Sequence, residues 1–213
     1  MTAYIHPTAI IEEGVEIGSG TCIWDHVHIR HATRIGQECI VGEKTYIAYG
    51  VEIGNRVKIN AFAYICTAVT IENGIMIGAG TIFTNDRFPR AATSDLRQLR
   101  PSGPDEHTLS TRVREGATIG AGSTIGSGLM IGRFAMIGMG SVVTKSVPDF
   151  HLAMGHPARS IGCVCRCGQL ILRFQQDRAS TRQTVTCVAC GLSYDVNRDS
   201  VTEVNPPGGG QVG

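Results

Sequence analysis

Four cysteines near the end of the chain have the spacing of a metal site. Cys165-x-Cys167-Gly and Cys187-x-x-Cys190-Gly form two knuckles about twenty residues apart, the pattern of a four-cysteine zinc ribbon. Four thiolates complete a tetrahedral zinc and leave no position for a substrate. The expected Zn2+ is therefore structural, and its binding energy is folding energy for a unit too small to have much core. Cys163 is a spare that could stand in for Cys165. Between the knuckles, QLILRFQQ and, after the second, SYDVNR alternate well enough for the short strands of a ribbon.

A second group of chemically capable residues sits in TNDRFPRAATSDLRQLRPSGPDEHTLSTR, which carries the charge and proline that the flanking sequence lacks. Arg87, Arg90, Arg97 and Arg100 could meet phosphates, although each alone is equally a solvated charge. Asn85 and Asp86 suit an Asx turn at its start. A long excursion inside a regular chain costs entropy and more often forms a binding wall than an inert insertion.

What must position these groups is a repeat. From Ile5 to Phe83 an aliphatic or aromatic residue returns at every sixth position: Ile5, Ile11, Ile17, Ile23, Ile29, Ile35, Val41, Ile47, Ile53, Ile59, Ile65, Ile71, Ile77, Phe83. Four residues after each lies a small or β-branched one, from Ala9 and Val15 to Ile75 and Thr81. The period stops after Phe83 and resumes at Val113, Ile119, Ile125, Ile131, Ile137 and Val143. Neither a helix nor a simple strand has this period. It predicts a parallel β-helix, all-β, in which three hexads make one triangular coil and coils share a continuous core. Residues eighteen apart then stack, with coils about 4.8 Å apart. One face, with IGSGTC, IGQECI and IGNRVK, is expected to be solvated. Another puts Trp24, His26, His28, Tyr46, Phe62 and Tyr64 on one side, a candidate subunit interface. The third stacks His31, Tyr49, Thr67 and Asn85 in one column.

The composition suits a compact soluble protein. Of 213 residues 42% are hydrophobic, and the formal net charge of +1 gives no general attraction to nucleic acid or an anionic membrane. No apolar run approaches the roughly 20 residues of a membrane span. The start, MTAYIHPTAI, has no basic segment leading into an apolar one. Of eight cysteines, Cys22, Cys39 and Cys66 are scattered through the repeat and the other five crowd the end, which is not the distribution of a disulfide framework, and a cytoplasmic location is expected.

The hexads, the excursion and the run IGMGSVVTKSVPDFHLAMGHPARSIG resemble the hexapeptide-repeat acyltransferases, which form left-handed β-helices and usually homotrimers with active sites between subunits. Within that family the opening IHPTAIIEEGVEIGSGTCIW, the segment FTNDRFPRA and the closing VCRCG resemble the N-acetyltransferases of nucleotide-linked 3-amino sugars, of the UDP-3-amino-2-acetamido-glucuronate and dTDP-3-amino-3,6-dideoxyhexose type. The resemblance spans residues 4 to 168. It implies acetyl-CoA as co-substrate and a nucleotide-linked amino sugar as acceptor.

Asn85 matches the Asn that the family places at the acceptor, where it would orient the amine. Asp86 would balance an ammonium charge, and His31, on the same column, would reach substrate. By resemblance the coenzyme path is lined by Ala121, Met139, Thr144 and Lys145, with Gly138 and Gly140 allowing close approach and Arg159 towards the nucleotide phosphates. Where the family commonly has Asn, this chain has His156. Family members acting on hydroxyls carry a catalytic His after the excursion, and Val113 to Pro148 contains none. An amine near an electronegative substituent has a pKa nearer about 8 than that of lysine, so a useful fraction is neutral and attacks without a strong base. The missing His therefore favours N- over O-acetylation, with His107 the one residue that could reverse this.

The expected organisation is a left-handed β-helix acyltransferase domain over 1–162 with the excursion at 84–112, a zinc ribbon over 163–197 and a disordered tail over 198–213. Three other functions compete: an O-acetyltransferase; a γ-type carbonic anhydrase, for which His26 to His31 offers one ligand spacing but no third His; and a non-catalytic scaffold.

Overall fold

In a computed structural model, which describes residues 2–174, 182–197 and 200–207, the chain is all-β, with no helix among the described residues. Short strands, mostly of two residues, follow one another at six-residue intervals and are joined by tight turns. Strands eighteen positions apart pair in parallel, as Tyr4 does with Cys22 and Ile5 with Ile23. Three sheets of ten, seven and six strands result, each made of every third strand of the solenoid. This is a parallel β-helix.

The six-residue series is the core. Ile23, Ile29, Val41, Ile47, Ile65 and Ile77 are wholly buried, as are Val27, Val51 and Ala117 of the companion series. Buried threonines of that companion series bond to backbone carbonyls rather than water: Thr33 Oγ1 donates to Ala48 O at 2.9 Å, so the hydroxyl carries no desolvation penalty. Ile5 departs from the expectation, at 43% exposed. It lies in the first coil, against which no further coil packs, and stacking is what buries the series.

The excursion leaves the solenoid between the seven- and six-stranded sheets. Ile82 and Phe83 pair with Thr124 and Ile125 as though the loop were absent. Its neck is tied by Leu109 N–H to Asn85 O at 2.8 Å and Arg87 N–H to His107 O at 3.1 Å. The expected limit at 112 is too late: Thr111–Val113 is already a solenoid strand paired with Val69–Ile71.

Two other boundaries shift. The expected division after residue 162 falls inside the strand Ala158–Val164, which pairs antiparallel with both His151–Gly155 and Leu170–Arg173. The ten-stranded sheet thus runs from the solenoid into the cysteine-rich unit without a linker. The tail expected to be disordered from 198 contains a strand, Val201–Glu203, paired with Ser193–Val196. Polar composition concealed it because Val201 packs on Tyr194 and Val196 rather than extending an apolar run. The part of that expectation covering 198–199 and 208–213 lies outside the described residues, as do 175 and 176 of the expected ribbon strand. Among the described residues no helix is long and apolar enough to cross a membrane.

Candidate functional site

A cleft of about 500 Å3 opens where the excursion folds back over the solenoid. Its floor is the outer surface of the seven-stranded sheet and the adjoining turns: Tyr46, Ala48, Tyr49, Tyr64, Cys66 and Thr67. Asn85 and Asp86 stand at its edge, and Arg90, Leu99, Arg100, Asp105 and Thr108 form the facing wall. The volume falls in the range of small-molecule sites.

Each wall residue is held locally. Asp86 Oδ1 accepts from Phe88 N–H at 2.8 Å, which is an Asx turn, while the residue still lines the cleft. Arg100 is fixed by Asp105 Oδ2 at 3.1 Å and by Phe88 O at 3.0 Å. The His107 N–H, with help from Arg100, holds the Asp105 carboxyl below the usual range. Tyr46 and Tyr64 are stacked, their rings 5.2 Å apart and nearly parallel. Burial pushes the Cys66 thiol up to about 12, so it is an apolar part of the floor and not a nucleophile.

The column expected from stacking is present in its local steps. The rings of His31 and Tyr49 stack at 5.1 Å, and Thr67 Oγ1 donates to Tyr49 O at 2.9 Å. His31, however, is not part of the cleft lining. It is taken up by Glu12, whose Oε2 accepts from its backbone N–H at 3.0 Å and lies 3.2 Å from its Nδ1. Nor does His107 line the cleft; its ring meets that of Phe88 edge-on at 5.4 Å.

The residues expected along the coenzyme path divide between two corners. Ala121, Gly138, Met139 and Gly140 lie in turns entering the seven-stranded sheet. Gly140 N–H donates to Ala121 O at 2.8 Å, and Met139 is 80% exposed. Gly140 has φ +68° and open space where a side chain would stand, whereas a Cβ on Gly138 would meet Met154 Cβ at 2.7 Å. Met154 pairs with Arg159 across the hairpin, which brings Arg159 to this same corner. Thr144 and Lys145 are exposed on the corner leaving that sheet, the corner that bears Asn85 two coils earlier. Within one chain, Asn85 and Met139 therefore lie on opposite edges of the seven-stranded sheet.

The aromatic residues expected on one side also occupy two adjoining surfaces. Trp24, His26 and Phe62 are in corner turns, and His28, Tyr46 and Tyr64 are on the sheet. Trp24 is 44% and Phe62 56% exposed.

At the far end, one ligand atom from each of Cys165, Cys167, Cys187 and Cys190 comes within 4.8 Å of every other. Sγ atoms of Cys165 and Cys190 are 3.3 Å apart and those of Cys167 and Cys187 3.7 Å. Zinc–sulfur bonds of about 2.3 Å in a tetrahedron need sulfurs about 3.8 Å apart, so the set fits the ion. The Ala189 N–H holds the Cys187 thiol down at about 7, assisted by that of Cys190. Cys163 does not join them. It is wholly buried in a strand, and burial pushes its thiol up to about 12. Among the described residues neither His26 nor His31 belongs to a group of three or more side chains that could hold a metal ion.

Sequence reasoning passed over Asp105, Thr108, Glu12 and Arg30. Glu12 and Arg30 carried a usable signal, since opposite charges eighteen apart stack on adjacent coils. Asp105 and Thr108 carried none, because the excursion has no period.

Two family descriptions match the chain. Residues 32–67 match "Bacterial transferase hexapeptide (six repeats)", and residues 111–145 match "Hexapeptide repeat of succinyl-transferase". Among curated proteins, the dTDP-3-amino-3,6-dideoxy-alpha-D-galactopyranose 3-N-acetyltransferase of Aneurinibacillus thermoaerophilus is 42% identical over 57 residues, 27% of this chain and 30% of that relative. The match thus spans less than a third of the relative's length. Solved structures with a similar course include WeeI from Acinetobacter baumannii AYE, at 25% identity, with a TM-score of 0.48 and coverage of 73% of this chain and 56% of that one. They also include a variant of AntD, an N-acyltransferase from Bacillus cereus in complex with dTDP and coenzyme A, at 22% identity, TM-score 0.47, and coverage of 76% and 81%. With its six-residue core series and three parallel sheets, the chain carries hexapeptide repeats on both sides of the excursion, and the two matched stretches cover residues 32–67 and 111–145.

Proposed function

We propose that the protein is an acetyl-CoA-dependent N-acetyltransferase that acetylates the amino group of a nucleotide-linked sugar. The observation that carries this is the cleft, which Asn85 and Asp86 line together with Arg90 and Arg100. Arginines suit a diphosphate, tyrosine faces suit the rings of a sugar or base, and an amide beside a carboxylate suits an amine. The 42% identical stretch of a dTDP-amino-sugar N-acetyltransferase supports the same substrate class.

In the reaction the amine nitrogen attacks the thioester carbonyl, the carbon–nitrogen bond forms and the carbon–sulfur bond breaks. CoA leaves as the thiol, taking up the proton that the amine loses. Asn85 orients the amine, and Asp86 binds the incoming ammonium form, which gives up one proton to solvent before the neutral nitrogen attacks. Coenzyme A lies along the corner of Ala121, Gly138, Met139, Gly140 and Arg159, with Thr144 and Lys145 on the next corner. Because that corner and the cleft lie on opposite edges of one sheet, a homotrimer that sets one chain's coenzyme corner against its neighbour's cleft completes the site. Exposed Trp24 and Phe62 favour such a contact. The four cysteines take a structural Zn2+, and the other four, none of them in a disulfide, fit a reducing, cytoplasmic setting.

The test is thiol release from acetyl-CoA with UDP- and dTDP-linked 3-amino and 4-amino sugars, run beside their hydroxyl counterparts. Release with one amino sugar names the substrate. Release with the hydroxyl sugars alone would establish O-acetylation, and failure to bind CoA would leave a non-catalytic scaffold.

A further inference from the structure

Glu12 lies outside the cleft, two coils before its floor, yet it contacts three residues of the next coil. Its Oε1 is 2.5 Å from Arg30 Nε and 2.9 Å from His28 Nε2. Its Oε2 accepts from the His31 backbone at 3.0 Å and lies 3.2 Å from the His31 ring. Two of these partners pass directly to the cleft floor. Arg30 Nη1 donates to the phenol oxygen of Tyr46 at 3.0 Å. The His31 ring stacks on Tyr49 at 5.1 Å and nearly parallel, with 3° between the planes. Tyr46 and Tyr49 both line the cleft, and Tyr46 extends the array by stacking on Tyr64.

A tyrosine on an exposed sheet face has free choice of rotamer, and a floor of such rings loses entropy when a ligand orders it. Here a single carboxylate fixes one tyrosine through its oxygen and a second through its ring. We propose that Glu12 is a positioning residue for the acceptor cleft: through Arg30–Tyr46 and His31–Tyr49 it presets the aromatic floor on which the nucleotide-linked sugar lies. This deepens the N-acetyltransferase reading and rests on it. It assigns to the first coils, remote from the reacting amine, a share in acceptor binding.

The decisive variant is Glu12→Gln, which keeps an oxygen for the His31 N–H and replaces the one facing Arg30 and His28. With the accepted amino sugar as probe, its KM rises about ten-fold, the size of one charged hydrogen bond lost from a preset floor. The KM for acetyl-CoA and the kcat stay within about two-fold. Tyr46→Phe removes the oxygen that Arg30 holds and raises the same KM. The double variant is no worse than Glu12→Gln, because both act through one chain of contacts. Glu16→Gln, which breaks an exposed pair with Arg34 on another sheet, serves as the control of equal charge change and leaves all constants alone.

A lowered melting temperature with unchanged acceptor KM in Glu12→Gln would make the cluster merely structural and overturn the proposal, as would full additivity with Tyr46→Phe. A wild type that turns over no amino sugar would instead overturn the activity assigned above.

Discussion

The phenol oxygen of Tyr194 lies 3.1 Å from Cys165 Sγ and accepts the backbone N–H of Arg166 at 3.0 Å. Tyr194 is wholly buried, and its ring lies 5.4 Å from that of Phe150, which stacks in turn on Phe134 of the last coils. Arg166 closes the same link from outside, over the face of Phe134 at 4.4 Å and paired with Glu203. The cysteine unit is thereby packed onto the open end of the solenoid, where a repeat protein needs a cap.

Metal loss is expected to loosen that cap. The protein should contain about one zinc per chain, and chelation should abolish hydrogen-exchange protection of Ser193–Val196 and Val201–Glu203 before that of Tyr46–Ile47 or Tyr64–Ile65. Equal protection with and without metal would show that the four cysteines do not hold the unit together.

Tyr194→Phe separates the hydroxyl from the ring. The variant should keep its zinc and the contact with Phe150, but leave the part-buried Arg166 N–H without its acceptor, at a cost of about 1 kcal/mol. Denaturant unfolding of metal-loaded protein measures it. An unchanged midpoint would mean that another group satisfies Arg166.

For the cleft, Asn85→Ala should lower kcat by about 10- to 100-fold with little change in acetyl-CoA KM, since its amide is assigned to the amine at the reacting centre. Arg100→Ala should raise the acceptor KM instead, because it removes a wall cation and frees Asp105. Steady-state kinetics with both substrates varied distinguishes the two, and loss confined to acetyl-CoA KM in either variant would move the acceptor elsewhere.

On the opposite edge of the sheet, Gly140→Ala tests the coenzyme corner. The position has φ +68° and nothing within 4 Å of an added methyl, so the variant meets no clash but pays left-handed strain of about 1 kcal/mol. The methyl would stand on the open corner, and the acetyl-CoA KM is expected to rise several-fold while the acceptor KM stays put. A rise in the acceptor KM alone would exchange the roles of the two corners.

The solenoid was legible because its signal is one-dimensional. Each coil repeats the burial of the last, so Ile23, Val41, Ile59 and Ile77 announce themselves by spacing alone. Asn85 and Asp86 were legible as the point where spacing fails, and the cysteines as paired knuckles. The facing wall was not, because Asp105 and Arg100 meet through the path of a loop that no period governs. The strand Val201–Glu203 was hidden for a related reason: it is fixed by Tyr194, Val196 and Arg166, and local composition says nothing of them. The separation of Met139 from Asn85 followed from the hexad phase, which puts their turns on different corners, but only the paired strands made that phase a position in space.

Acid should expose the Glu12 cluster in a stability measurement that needs no substrate. The Arg30 guanidinium above all, then the His31 N–H and the two imidazoles, hold the Glu12 carboxyl down from 4.5 to about 2. A carboxyl depressed on folding stabilises the native state at every pH above its unfolded value. That contribution fades as the unfolded chain takes up its proton first, from about 4.5 downwards, and is gone below about 2. Glu12→Gln has no such proton to lose. The difference in melting temperature between wild type and variant should therefore be constant above about pH 5 and close as the pH falls towards 2. Because both proteins carry the same cysteines, acid release of metal cancels in the difference. A gap that persists unchanged to the acid limit would show that Glu12 acts through shape and not through its charge, and would leave Arg30 to be held by Tyr46 alone.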